Sequence, residues 1–166
     1  MATYYTNVAT NQQTGVNFPG ASSSVAAPPS GTGFNDPVLE QGNSEFVIAT
    51  YTMTGSEAQG DVINIAYLNA NSLVNPLSSW VATSAGLGTT AAVQVGDADP
   101  AGSSATRYST ALTVTSATQA QFTGGAAAAT PYFVSADCWL TATLSTLSVP
   151  VAGAKITFWI GVAYNR

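Results

Sequence analysis

The chain has no histidine, one cysteine and three basic residues, and each shortage removes a class of function. Without histidine it lacks the commonest general base, the usual partner of a serine or cysteine nucleophile, and the commonest transition-metal ligand. The lone Cys138 excludes an intrachain disulfide framework and any multi-cysteine metal site. It lies in the apolar run Cys138-Trp139-Leu140, where a free thiol is expected to act as a small buried hydrophobe. Arg107, Lys155 and Arg166 are the only cations, and net charge is −5. Binding a phosphate backbone draws on several Lys or Arg contacts, so neither nucleic acid nor an anionic membrane surface is an expected partner.

Long apolar runs are missing too. No window approaches the roughly 18 apolar residues of a membrane helix. The opening Met1-Ala2-Thr3-Tyr4-Tyr5 has neither the basic start nor the apolar stretch of a signal peptide. The expectation is a soluble product made in a cytoplasm, with no membrane partner.

What the 166 residues do contain is 46% hydrophobic side chains but only 7% charged ones, against roughly 25% charged in an average domain. Thr, Ser, Asn, Gln and Gly carry the polar share. Hydroxyls and amides cost less to desolvate than ions, so such a surface suits strands and subunit contacts.

Residues 1–43 stand apart from residues 44–166. The first segment is rich in Asn, Gln, Thr, Ser, Gly and Pro, and 21–31 is nearly low-complexity. Large apolar groups recur in it singly: Tyr4, Tyr5, Phe18, Phe34 and Leu39. It is expected to be an extended N-terminal arm that orders on contact with neighbouring subunits, with Tyr4, Tyr5, Phe18 and Phe34 as anchors, the alternative being a frayed tail.

From Glu45 onward β-type runs alternate with turn residues. Strands are predicted at 46–54, 61–68, 77–83, 89–95, 106–114, 120–123, 132–135, 138–147 and 155–164. The last is the sharpest, with Ile156, Phe158, Ile160, Val162 and Tyr164 on one face at period two. In 106–114, Tyr108, Thr110, Leu112 and Val114 are expected on one face and Arg107, Ser109 and Thr113 on the other. The tetra-alanine 126–129 is too short for a stable helix. Strand number and turn spacing predict an all-β fold, an antiparallel β-sandwich domain over 44–166, with a jelly roll the first choice.

No pattern amounts to an active site. The densest polar cluster is Gly96-Asp97-Ala98-Asp99-Pro100-Ala101-Gly102. Carboxylates at i and i+2 in a loop suit calcium, but Asx turns explain them without metal. Arg107 is close enough in sequence to pair with either acid, in a structural role. No metal, no cofactor and no catalytic residue is predicted.

The tryptophans are the better candidates. Trp139 shares a face with Thr141, Thr143 and Ser145, and Trp159 sits opposite the apolar face of its strand beside Lys155 and Thr157. Large aromatics on polar faces are covered by more protein or exposed for a partner. A subunit interface is favoured over a sugar platform, because aromatics are enriched at interfaces. Tyr4, Tyr5, Phe18, Phe34, Trp139 and Trp159 are therefore the candidate interface residues.

Four features carry a family resemblance: Gly60-Asp61-Val62-Ile63 entering a strand, 89–95 leading into Gly96-Asp97-Ala98-Asp99, Arg107-Tyr108, and the ending Ala152-Gly153-Ala154-Lys155-Ile156-Thr157-Phe158 through Ala163-Tyr164. On these, residues 45–166 resemble small tailed-bacteriophage structural proteins of the head decoration, cement or minor head and tail type. The resemblance implies a β-sandwich that coats or joins capsid parts, often as an oligomer, with no catalytic residues to carry over. It leads to the expectation of a decoration protein on the virion capsid surface. Its partners would be the major capsid protein or other virion proteins, and its own copies as a trimer. A tail, neck or fibre component, or a receptor- or glycan-binding module, is the alternative.

Overall fold

In a computed structural model the described residues are 1–7, 44–123 and 131–163. Phe18, Phe34, Leu39, Tyr164 and the tetra-alanine lie outside them, as does most of the expected arm. Ten strands follow one another: β1 Thr3–Tyr5, β2 Ser44–Thr52, β3 Val62–Leu68, β4 Leu73–Thr83, β5 Thr90–Asp97, β6 Ser104–Thr113, β7 Thr118–Gln121, β8 Tyr132–Phe133, β9 Cys138–Ser148 and β10 Lys155–Ala163. The nine predicted runs all become strands, with ends shifted by a few residues. β1 was not foreseen, because three residues carry no periodic signal.

The strands form two sheets. The first has the order β1-β3-β9-β5-β6 and the second β2-β10-β4-β7, with β8 pairing β4. All described pairings are antiparallel except β1 with β3. The fold is thus the expected all-β sandwich. Period-two alternation places Leu140, Ala142 and Leu144 of β9 against Ile156, Phe158, Ile160 and Val162 of β10 in one buried core. Burying a large aliphatic or aromatic side chain stabilises by about 1.5–3 kcal/mol before entropy is subtracted, so this two-sided stripe is a substantial part of what holds the sheets together.

Among the register irregularities, two set which side chains face out in β6 and β4. In β6, Leu112 pairs with Val93 but Ser109 pairs with Val95, so β6 carries one extra residue. That bulge buries Ser109 beside Tyr108 and exposes Thr110, which corrects the unbroken alternation expected for 106–114. In β4, Trp80 pairs with Trp159 and Asn75 with Gly161, so Pro76–Ser79 form a larger bulge. The Ser79 hydroxyl donates to Asn75 O at 2.7 Å and accepts the Gly161 N–H at 3.1 Å. A Cβ at position 161 would collide with Ser78 Oγ, so glycine there lets the bulge fold over β10 without displacing that hydroxyl.

Candidate interface on the outer faces

The outer face of the first sheet is tied up within the chain. Trp139 of β9 is half-buried, its ring packed edge-on against Tyr67 at 5.1 Å and Tyr5 at 5.9 Å. Asn64 and Thr141, paired across β3 and β9, are buried beside it. Tyr4 of β1 packs on the core, its ring 5.6 Å from Tyr51. The structure thus seats Tyr4, Tyr5 and Trp139 against their own domain. Tyr5 and Trp139 meet, whereas Trp159 lies on the other sheet.

The loop predicted to be polar is a closed lock. Asp97 is fully buried in its side chain and accepts from Arg107 Nε at 2.7 Å and from the Tyr108 hydroxyl at 2.7 Å. Arg107 also donates to Gly102 O and lies 3.9 Å over the Tyr132 ring. Asp99 accepts the Ser135 hydroxyl and N–H at 2.6 and 2.8 Å, and the Ala101 N–H at 3.0 Å. Burial would raise the Asp99 pKa, but those bonds outweigh it and hold the carboxyl below its ordinary value. The geometry is an Asx turn plus a clip joining the β5–β6 turn to 132–135. Among the described residues no three His, Cys, Asp or Glu side chains group as a metal site. Cys138 is buried, and its thiol is pushed up to about 12 by burial and then by Asp97, Asp99 and Asp137.

The outer face of the second sheet is different. Ile48, Trp159 and Trp80 stand side by side across β2, β10 and β4, with Gln121 of β7 next in the row. Phe46 lies two residues along β2, over Gly161, and Leu77 projects from the β4 bulge. Phe133 of β8 is paired with Leu73 at the end of the same face. Phe46, Ile48, Leu77, Trp80 and Phe133 are between 39% and 61% exposed. At roughly 150–250 Å² per large side chain, they present on the order of 500 Å² of apolar surface. That is near the upper end of what monomers carry, roughly 300–600 Å², and patches of that size are often functional. None of these residues is charged. Phe46, Leu73, Asn75, Ser78 and the Gly161–Ala163 stretch enclose a notch of about 90 Å³ within this face.

Among the described residues picked from sequence, this face contains only Trp159. Phe46, Ile48, Leu77, Trp80 and Phe133 were missed. One signal could have found two of them: β2 is apolar at both phases, Phe46 and Ile48 on one side, Val47, Ala49 and Tyr51 on the other. A strand lining a single core needs only one.

No protein-family model matches the chain, and no curated protein matches it. Two solved structures align with the chain. A chain of the capsid of Ralstonia phage GP4 aligns over 99% of both chains, with a TM-score of 0.62 and 15% identity. A chain of the cyanophage Pam1 capsid asymmetric unit covers 89% of this chain and 100% of its own, with a TM-score of 0.47 and 20% identity. The first of these likenesses places the chain in a sandwich fold that a phage capsid also uses.

Proposed function

We propose that this chain is a non-enzymatic virion structural protein, a decoration or cement protein bound to the outside of a phage capsid. The observation that carries the reading is the uncharged apolar band Phe46, Ile48, Trp159, Trp80, Leu77 and Phe133. Left in water such a face is costly; docked on another virion protein, it contributes roughly 25 cal/mol per Å². The likeness in fold to a chain of the Ralstonia phage GP4 capsid supports a place in a particle. The strand order supports the jelly-roll reading: with β1 and β8 set aside, the strands fall into two sets of four, β3-β9-β5-β6 and β2-β10-β4-β7, and successive strands β2 to β5 alternate between them. Self-association, with a trimer as the working stoichiometry, and an arm role for residues 1–43 belong to the same proposal.

Mass spectrometry of purified particles, followed by imaging of the capsid, tests the location. Density for this chain on the outer shell is the expected result, and its absence from particles would sink the proposal. A glycan-binding module is the second reading, favoured by Trp80 standing beside Trp159 with Gln121 at the end of the row. Specific binding on a glycan array, lost in Trp80→Ala, would favour it.

A further inference from the structure

Residues 1–7 form a plug, and parts of β2, β3 and β9 form its socket. The Ala2 N–H donates to the buried Asp61 carboxylate at 2.5 Å, and the Val62 N–H donates back to Ala2 O at 2.9 Å. Thr3, Tyr4 and Tyr5 then run parallel to Val62, Ile63 and Asn64. Thr6 is fully buried; its hydroxyl donates to Ile65 O at 2.6 Å and its N–H to Asn64 O at 2.9 Å. Asn7 crosses to the second sheet, where its Oδ1 accepts the Thr50 N–H at 2.6 Å. The two tyrosine rings fill the remaining sides against Tyr51 and Trp139. Each of these polar anchors joins the plug to residues outside it.

The stretch joining plug to socket is far longer than the seat requires. Thr50 lies six residues along β2 from Ser44, a distance of about 20 Å at strand rise. Residues 8–43 supply 36 residues between Asn7 and Ser44, enough to reach on the order of 120 Å when extended. A domain of this size has a radius of gyration of only about 15 Å. The socket of an adjacent copy is therefore within reach of the same plug. Moving the plug from its own socket to an identical one keeps every bond and ring contact just described, so exchange loses no pairing energy and links the copies.

The geometry points to strand exchange: in the assembled protein, residues 1–7 of one copy occupy the β2–β3 socket of a second copy. This rests on the proposal that the chain assembles, and it names the segment and surface that join sister subunits. Thr3 and Val62 are register partners, so cysteines at these two positions report which copy's plug is seated. Full-length chains carrying only Thr3→Cys and only Val62→Cys are co-expressed, assembled, oxidised and run without reductant, and the double variant is run in parallel. Native Cys138 is buried and stays in place. Exchange gives a disulfide-linked heterodimer from the mixture, with the 1–7 and 62-containing peptides joined in mass spectra, and covalent multimers from the double variant. A double variant that runs wholly as an internally bridged single chain, with no heterodimer in the mixture, overturns the inference. So does a full-length chain whose sedimentation is unchanged by deleting residues 1–7. Either result leaves the virion assignment standing, because particle mass spectrometry tests that separately.

Discussion

The two outer faces of the sandwich each carry tryptophan, yet they stand in opposite conditions. On the first sheet Trp139 has Tyr5 and Tyr67 against its edges, buried Asn64 and Thr141 nearby, and a strand from the chain's own start alongside. On the second sheet Trp80 and Trp159 stand in a row with Ile48, and nothing among the described residues covers Phe46, Ile48 or Leu77. Tryptophan by itself therefore marks no interface. What decides is whether the rest of the row has been satisfied internally.

The largest expected effect lies in the satisfied region. Asp97→Ala leaves the Arg107 guanidinium and the fully buried Tyr108 hydroxyl without their shared acceptor. Removing one partner of a buried ion pair costs about 3–5 kcal/mol. Urea denaturation should show that loss, and a change under about 1 kcal/mol would mean that the lock is ornamental.

Paired substitutions sharpen the contrast between faces. Trp139→Ala should cost about 2–3 kcal/mol of stability, less than the roughly 3–5 of a fully buried tryptophan because the side chain is only partly buried. Ile48→Lys and Trp80→Ser should change stability by no more than about 1 kcal/mol while abolishing attachment to particles in a pull-down. If both faces responded alike in both assays, the distinction drawn here would fail.

Acid tests the buried carboxylates. Asp61 is held below its ordinary value by the Ala2 and Ala58 N–H groups, and Asp99 by Ser135 and Ala101 against the opposing effect of burial. For Glu57, burial raises the pKa, and the Thr54 N–H and the hydroxyls of Tyr51 and Thr54 more than offset it. Depressed folded-state values mean that the unfolded chain binds more protons at low pH. Their stabilisation is thus complete above the unfolded values, near pH 4–5, and drains away as pH falls through the lower folded ones. Thermal melts should be flat from pH 6 to 7 and fall steeply below pH 4. A melting temperature independent of pH down to 3 would contradict these assignments.

The smallest effect concerns Cys138. With its thiol pushed up to about 12, it should resist alkylation at pH 8 in the folded protein and react only on unfolding. Rapid labelling of the native chain would show that β9 opens where the sheet is here closed.

The sequence by itself determined that any chemistry must do without histidine, and it determined the strands the chain forms. Missing histidine and scattered charge are matters of composition, and β10 declares its buried face because side chains alternate along any strand. Asp97 with Arg107 was legible for a similar reason: ten residues and one turn bring them together. Only the tertiary structure decided which tryptophan is used up and which is left open. That depends on cross-strand neighbours such as Ile48 beside Trp159, more than a hundred residues apart in the chain. It decided as well that Tyr4 and Tyr5 belong to a sheet, since three residues acquire strand structure only from the edge they pair with. The bulges in β4 and β6 were equally out of reach, because extra residues in one strand reverse a face without altering the alternation on either side of them.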